Sequence, residues 1–255
     1  MNPAAVRSAA AGAFGSVAAT YAAVRPGYPA AAVRWALPPG ARTVLDLGAG
    51  TGKVTEALLA QGLAVHAVEP DERMLAQLRL VAPAADARQG TAEAIPLPSA
   101  SVDAVLVGHA FHWFGDGALA EMARVLRPGG TAALLWNLRD DSTAWVAAFG
   151  ALIALGAQDS TGYESPAPFA ADALLDAPTR RTFACTHRLD RAGLLALAGT
   201  RGYVLALPET ERQALLAEVG HLLDTHPQLA GRDHYDMPYV TEVWRAERRD
   251  GAGRA

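Results

Sequence analysis

VLDLGAGTGKVTEAL, residues Val44 to Leu58, runs from an apolar stretch through a glycine-rich turn into an amphipathic segment. A strand that turns through glycines into a helix presents the helix N-terminus and usually cradles a ligand there. Phosphate is the first ligand to test. A Walker loop reads G-x-x-x-x-G-K-[ST], but Gly48 and Gly52 are separated by three residues and Val54 follows Lys53. The dinucleotide fingerprint G-x-G-x-x-G accepts Gly48 and Gly50, yet its third glycine position holds Lys53, and Gly52 falls one residue early.

Asp46 decides between ligands. It ends the apolar run two residues before Gly48, where a carboxylate repels a pyrophosphate and favours a ligand carrying an ammonium or sulfonium group. S-adenosylmethionine carries both and has no phosphate, so Gly48, Ala49, Gly50 and Gly52 need only let the backbone approach it. Glu69 ends the next apolar run, and an acid about 20 residues beyond the loop can accept both ribose hydroxyl protons.

Outward from this stretch, short apolar runs alternate with amphipathic segments, the pattern of a parallel sheet covered by helices on both faces. Strands are predicted at 43–47, 63–68, 85–89, 102–107 and, after the turn Pro128-Gly129-Gly130, at 131–136. Helices are predicted at 54–61, closed by Gly62, and from Pro70 to about Leu80, with Pro70 in the first helical position and Asp71 and Glu72 in the first turn. Leu119, Met122, Ala123 and Leu126 share a helical face. After Asn137 the sequence turns helical, with a Gly/Ser/Pro-rich interval from Gly156 to Pro168 that reads as a connection. Further on, 183–189 and 237–245 read as strands, and 191–198 and 209–226 as helices.

The chain has 255 residues, 51% of them hydrophobic, and a net charge of −4. That balance offers no broad electrostatic attraction for nucleic acid or an anionic membrane. Cys185 stands alone, which excludes an internal disulfide and a cysteine-based zinc cluster and fits a reducing cytoplasm. No metal is expected. The run from Ser8 to Val24 is too weakly apolar for a membrane span, and Ser142 to Gln158 is too short, reading instead as a buried or lid helix.

Four segments in order resemble the class I S-adenosylmethionine-dependent methyltransferases: DLGAGTG at 46–52, VEP at 68–70, GTAEAIPLPSASVDAV at 90–105 and RVLRPGG at 124–130. YAAVRPGYP at 21–29, AFHWF at 110–114 and TRGYVLALP at 200–208 are similar to a small-molecule subgroup that includes trans-aconitate methyltransferase-like proteins. His109 stands where that subgroup often has Gln, Gly115 where it often has Asp, and Thr91 where the wider family often has Asp.

The resemblance implies an α/β, Rossmann-like, seven-stranded, mostly parallel sheet with helices on both faces and a helical cap. Residues 1–35 are then an N-terminal helical cap segment, 36–140 the S-adenosylmethionine-binding core, 141–235 a helical cap with one core strand, and 236–255 the final strand and tail. It implies a cofactor site of Asp46, Gly48, Ala49, Gly50, Gly52, Glu69 and Pro70. Met74 and Thr91, Ala92 and Glu93 then lie toward the adenine, Tyr21 and Arg25 toward the methionine carboxylate, and His109 near the sulfonium. His112, with His109, is the candidate catalytic residue, and Phe111, Trp113 and Phe114 are candidate pocket wall. Methyl transfer to a small molecule, favoured a carboxylate or hydroxyl, is the expected reaction. A fold relative that keeps the cofactor site but catalyses a cyclisation is the alternative.

Overall fold

A computed structural model describes residues 17–154, 169 and 174–249. Strand β1, Thr43–Leu47, is buried from Val44 onward, as a central strand of a parallel sheet must be. It pairs in parallel with β2, Ala64–Glu69, on one side and with β4, Val102–Gly108, on the other. β2 pairs in parallel with β3, Asp86–Gln89, and β4 with β5, Leu126–Arg139. With β6, Thr179–Asp190, and β7, His234–Glu247, they form a seven-stranded sheet in the order β3-β2-β1-β4-β5-β7-β6. The order reverses between β1 and β4, the switch point where open α/β sheets bind ligands at their carboxyl ends.

Strand β5 begins earlier than its apolar run suggested. Leu126 already pairs with Val102, and after a register shift Thr131 pairs with Ala104, so the Pro128-Gly129-Gly130 turn is a bulge within the strand. The preceding helix is correspondingly confined to Ala118–Val125.

The chain divides into two units. The sheet unit comprises Gly27–Asn137, Thr161–Phe183 and Thr241–Ala255. Its helices include α2, Ala30–Ala36, and α3, Lys53–Leu59, following α1, Ala18–Val24, of the other unit. Ala32, Val33 and Ala36 of α2 and Val54 and Leu58 of α3 pack on Val44, Val65, Ala104 and Leu106. A second cluster joins Ala49 and Ala67 to Leu78 and Ala82 at the end of α4, Glu72–Val81. Pro70 is not in the first helical position of α4. Asp71 is the N-cap, its carboxylate accepting the N–H groups of Arg73 at 2.8 Å and Met74 at 3.1 Å, which satisfies two donors that a helix start leaves open.

The helical unit comprises Met1–Pro26, Leu138–Ser160 and Ala184–Val240. The run from Ser142 becomes a buried helix, Ala144–Ala154, whose Trp145, Val146 and Phe149 join Leu194 and Leu197 of Arg191–Gly199 and Val219 and Leu223 of Glu209–Thr225 in one core. The short helix Gly202–Leu205 was not foreseen; four residues are too few to show a periodicity. The Gly156–Pro168 interval lies outside the described residues. α1 belongs to the helical unit and α2 to the sheet unit.

Candidate functional site

The turn after β1 is held by β2. Gly48 and Ala49 both donate their N–H to the carbonyl of Val68, at 2.9 and 3.1 Å. Gly50 donates to Glu69 Oε2 at 2.8 Å, and Glu69 Oε1 accepts the N–H of Asp71 at 3.0 Å. Glu69 therefore clasps the glycine turn to the start of α4. Gly48 has φ +68°, and a Cβ there would lie 2.6 Å from Cβ of Ala110, so only glycine fits. Gly50, at φ +55°, faces open space with nothing within 4 Å of a Cβ position, a cradle that a ligand can enter.

Asp46 is 1% exposed. Its Oδ2 accepts the hydroxyl of Thr55 at 2.6 Å, whereas Oδ1 is buried without a hydrogen-bond partner, as is the hydroxyl of Thr51. Burial raises the Asp46 pKa to about 7, against the Thr55 bonds and with the charge of Glu69 adding to it. Burial also raises that of Glu69. An orphaned carboxylate oxygen inside a packed core calls for a ligand donor. Two carboxylates with acceptor capacity left, beside an open glycine cradle, fit a cationic, hydroxyl-bearing ligand and reject a phosphate. That is the chemistry of S-adenosylmethionine: Asp46 would face its positive end and Glu69 its ribose hydroxyls.

Of the remaining expected cofactor residues, Gly52 is the residue from which α3 starts, Met74 is buried on α4 and Pro70 is exposed. Thr91 forms an isolated bridge to Ala94, and Ala92 between them is buried. Glu93 accepts the N–H of Gly115 at 2.6 Å, tying the segment after β3 to the loop after β4. Tyr21 and Arg25 lie in the helical unit. There the Arg25 guanidinium stacks 4.5 Å from the Tyr21 ring and Nη2 donates to the carbonyl of Thr200 at 2.9 Å.

The two histidines are differently placed. His109 has φ +53°, rare for a side chain of its size. Its Nε2 accepts the N–H of Asn137 at 2.6 Å. Asn137 in turn donates to the carbonyl of Gly27 and accepts the hydroxyl of Thr241. A neutral ring with Nε2 as acceptor carries its proton on Nδ1. His112 lies on the 3₁₀ turn Phe111–Trp113, 4.8 Å from Trp113 between ring centroids. Burial lowers its pKa to about 4, so it is neutral at physiological pH. Phe111 meets Phe114 and Phe169 edge-on, and Trp113 is 37% exposed.

Sequence reading missed Thr55, nine residues from Asp46 and on a helix face that shows no motif.

Fold and site together define a Rossmann-like enzyme that binds S-adenosylmethionine. A family model described as a methyltransferase domain matches residues 45–134. An uncharacterized methyltransferase of Mycobacterium tuberculosis is 43% identical over 235 residues, 91% of this chain and 94% of that protein. An uncharacterized methyltransferase-like protein of Schizosaccharomyces pombe is 32% identical over 92% of this chain and 95% of its own length. A solved structure from Anaeromyxobacter dehalogenans, provisionally assigned as a type II methyltransferase, superposes with TM-score 0.63 at 27% identity, over 88% of this chain and 97% of that one. The chain belongs to the class I S-adenosylmethionine-dependent methyltransferases. Among the described residues no helix is long and apolar enough to cross a membrane, and no group of side chains is arranged to hold a metal ion.

Proposed function

We propose that this methyltransferase acts on a small-molecule acceptor and methylates an oxygen, with a carboxylate favoured over a hydroxyl. One packing relationship carries the reading. Ala110 and Phe114, which flank the His112 turn, lie directly on the glycine turn, at 2.6 and 3.2 Å from where a Gly48 side chain would begin. The aromatic turn and its histidine thus adjoin the cofactor loop, where an acceptor must sit. The bound cofactor supplies both the methyl group and the leaving group, so the protein aligns the nucleophile and excludes water. The aromatic side chains of the turn exclude water. A neutral His112 can hold an acceptor oxygen by a hydrogen bond. Because burial keeps its pKa near 4, His112 is a weak base, which suits an acceptor that arrives already ionised.

Incubation of the full chain with methyl-labelled cofactor and a panel of small carboxylic acids, phenols, alcohols and amines tests this. The expected outcome is label in base-labile methyl esters. Label confined to amines or to carbon would refute it.

A further inference from the structure

We propose that the helical unit carries an anion site, formed by Arg25, Arg139 and Arg201 with the hydroxyl of Tyr203, that binds a small carboxylate or phosphate. The site rests on the following geometry.

Three hydrogen bonds draw these residues together from separate parts of the chain. Arg25 Nη2 donates to the carbonyl of Thr200, the residue before Arg201. Asp140 donates its N–H to the carbonyl of Pro238, setting Arg139 alongside Tyr239. His187 Nε2 lies 2.8 Å from the carbonyl of Val24 and its ring 6.4 Å from that of Tyr239, which brings Tyr239 beside Arg25. Arg25 Nε, Arg139 Nε and the Tyr203 hydroxyl are buried without a hydrogen-bond partner.

Among the described residues none of the three arginines forms an ion pair. Asp141, the acid next in sequence, is exposed; it approaches the same point beside Gly150 as Arg139 Nη2 without pairing with it. The electrostatics agree. Burial, then the like charges of Arg139 and Arg25, push the Arg201 pKa down to about 10, so the guanidinium remains charged at neutral pH. Guanidinium groups crowded together with buried donors unmet are costly in a resting protein. The arrangement is explained when a ligand supplies the missing acceptors, and planar guanidinium forks match carboxylate and phosphate oxygens. All three arginines are half-buried rather than sealed, so a small anion can reach them.

The test is calorimetry on the full chain with S-adenosylhomocysteine present, titrating succinate in one arm and inorganic phosphate in the other. One of the two anions should bind with salt-sensitive affinity, which identifies the source of the charge. Arg139→Gln and Arg201→Gln should each weaken that binding by roughly tenfold, with Arg201→Lys recovering part of it, while S-adenosylhomocysteine affinity and the melting temperature stay close to those of the parent. The proposal is overturned if neither anion binds, or if the variants bind it as the parent does. It is also overturned if they lose S-adenosylhomocysteine instead, which would assign the cluster to the methionine carboxylate.

Discussion

Glu69 at the end of the second strand accepts the backbone N–H of Gly50 in the turn after the first, at 2.8 Å. The acid expected to clamp the ribose therefore also holds the cofactor loop in shape. Glu69→Ala removes this bond and the one from Asp71. S-adenosylhomocysteine affinity should fall by roughly tenfold or more, since each hydrogen bond to a charged group contributes about 1.5–3 kcal/mol. Glu69→Gln keeps one acceptor oxygen and should fall between the two. Calorimetric dissociation constants that do not change in either variant would remove Glu69 from the site.

Gly48 tests the close approach of the aromatic turn. Gly48→Ala combines a left-handed φ of +68° with a methyl 2.6 Å from Cβ of Ala110. The conformational cost is about 1–2 kcal/mol and overpacking adds about 1–3 kcal/mol. Differential scanning calorimetry should show a lower melting temperature, by roughly 2–4 °C for each kcal/mol, together with weakened cofactor binding. A melting temperature equal to the parent's would mean that residues 110–114 do not rest on this turn.

Asp46 makes both stability and binding depend on pH. Its pKa rises from 3.8 to about 7 on folding because the carboxylate is buried. Between those values the folded chain retains the proton and the unfolded chain has lost it, so this residue's contribution to stability declines as pH rises through the window and is level outside it. A cationic ligand favours the ionised form. Binding of S-adenosylmethionine at roughly pH 6 should then release a proton, detected as a binding enthalpy that varies with the ionisation enthalpy of the buffer. Asp46→Asn should abolish that dependence. Equal enthalpies in all buffers for the parent chain would contradict the assignment.

The sheet was legible because its signals are local. Apolar runs between glycines mark β1, β2 and β4, and Asp46 and Glu69 stand at strand ends where their chemistry can be inferred from position alone. The start of α4 was placed two residues early because Pro70 and Asp71 are both good starting residues, and it is the Asp71 carboxylate that caps Arg73 and Met74. The early start of β5 was hidden because the bulge from Arg127 to Gly130 interrupts the apolar run and reads as a turn. Arg25 was singled out from the sequence as facing a carboxylate, but its meeting with Arg139 and Arg201 could not be read. Arg25, Arg139 and Arg201 are brought together by bonds such as that from Arg25 to Thr200, 175 residues apart, and no linear spacing encodes such a meeting.

His109 is expected to matter through Asn137. His109→Ala deletes the acceptor of the Asn137 N–H and leaves that donor unpaired, at a cost of about 1–3 kcal/mol. His109→Gln supplies an amide oxygen in its place and should recover part of the loss in chemical denaturation. If the Ala and Gln variants lose turnover equally while retaining full stability, His109 acts in the reaction and not in holding β5.

His112 separates an ionised acceptor from a protonated one. A histidine base of ordinary pKa would make turnover rise through roughly pH 6 to 8, but burial holds His112 near 4, and its proton is already gone across that range. Turnover on a carboxylate should therefore be level there. His112→Ala removes a hydrogen bond to the acceptor without removing a proton carrier, so it should raise KM more than it lowers kcat. On a hydroxyl acceptor the same side chain would be a weak base, with any rising limb displaced toward its own pKa and a loss of about 10² in kcat on substitution. A parent profile that climbs between roughly pH 6 and 8 and flattens in His112→Ala would show that the acceptor arrives protonated and that substrate binding restores the histidine to an ordinary basicity. The carboxylate reading would then give way to a hydroxyl.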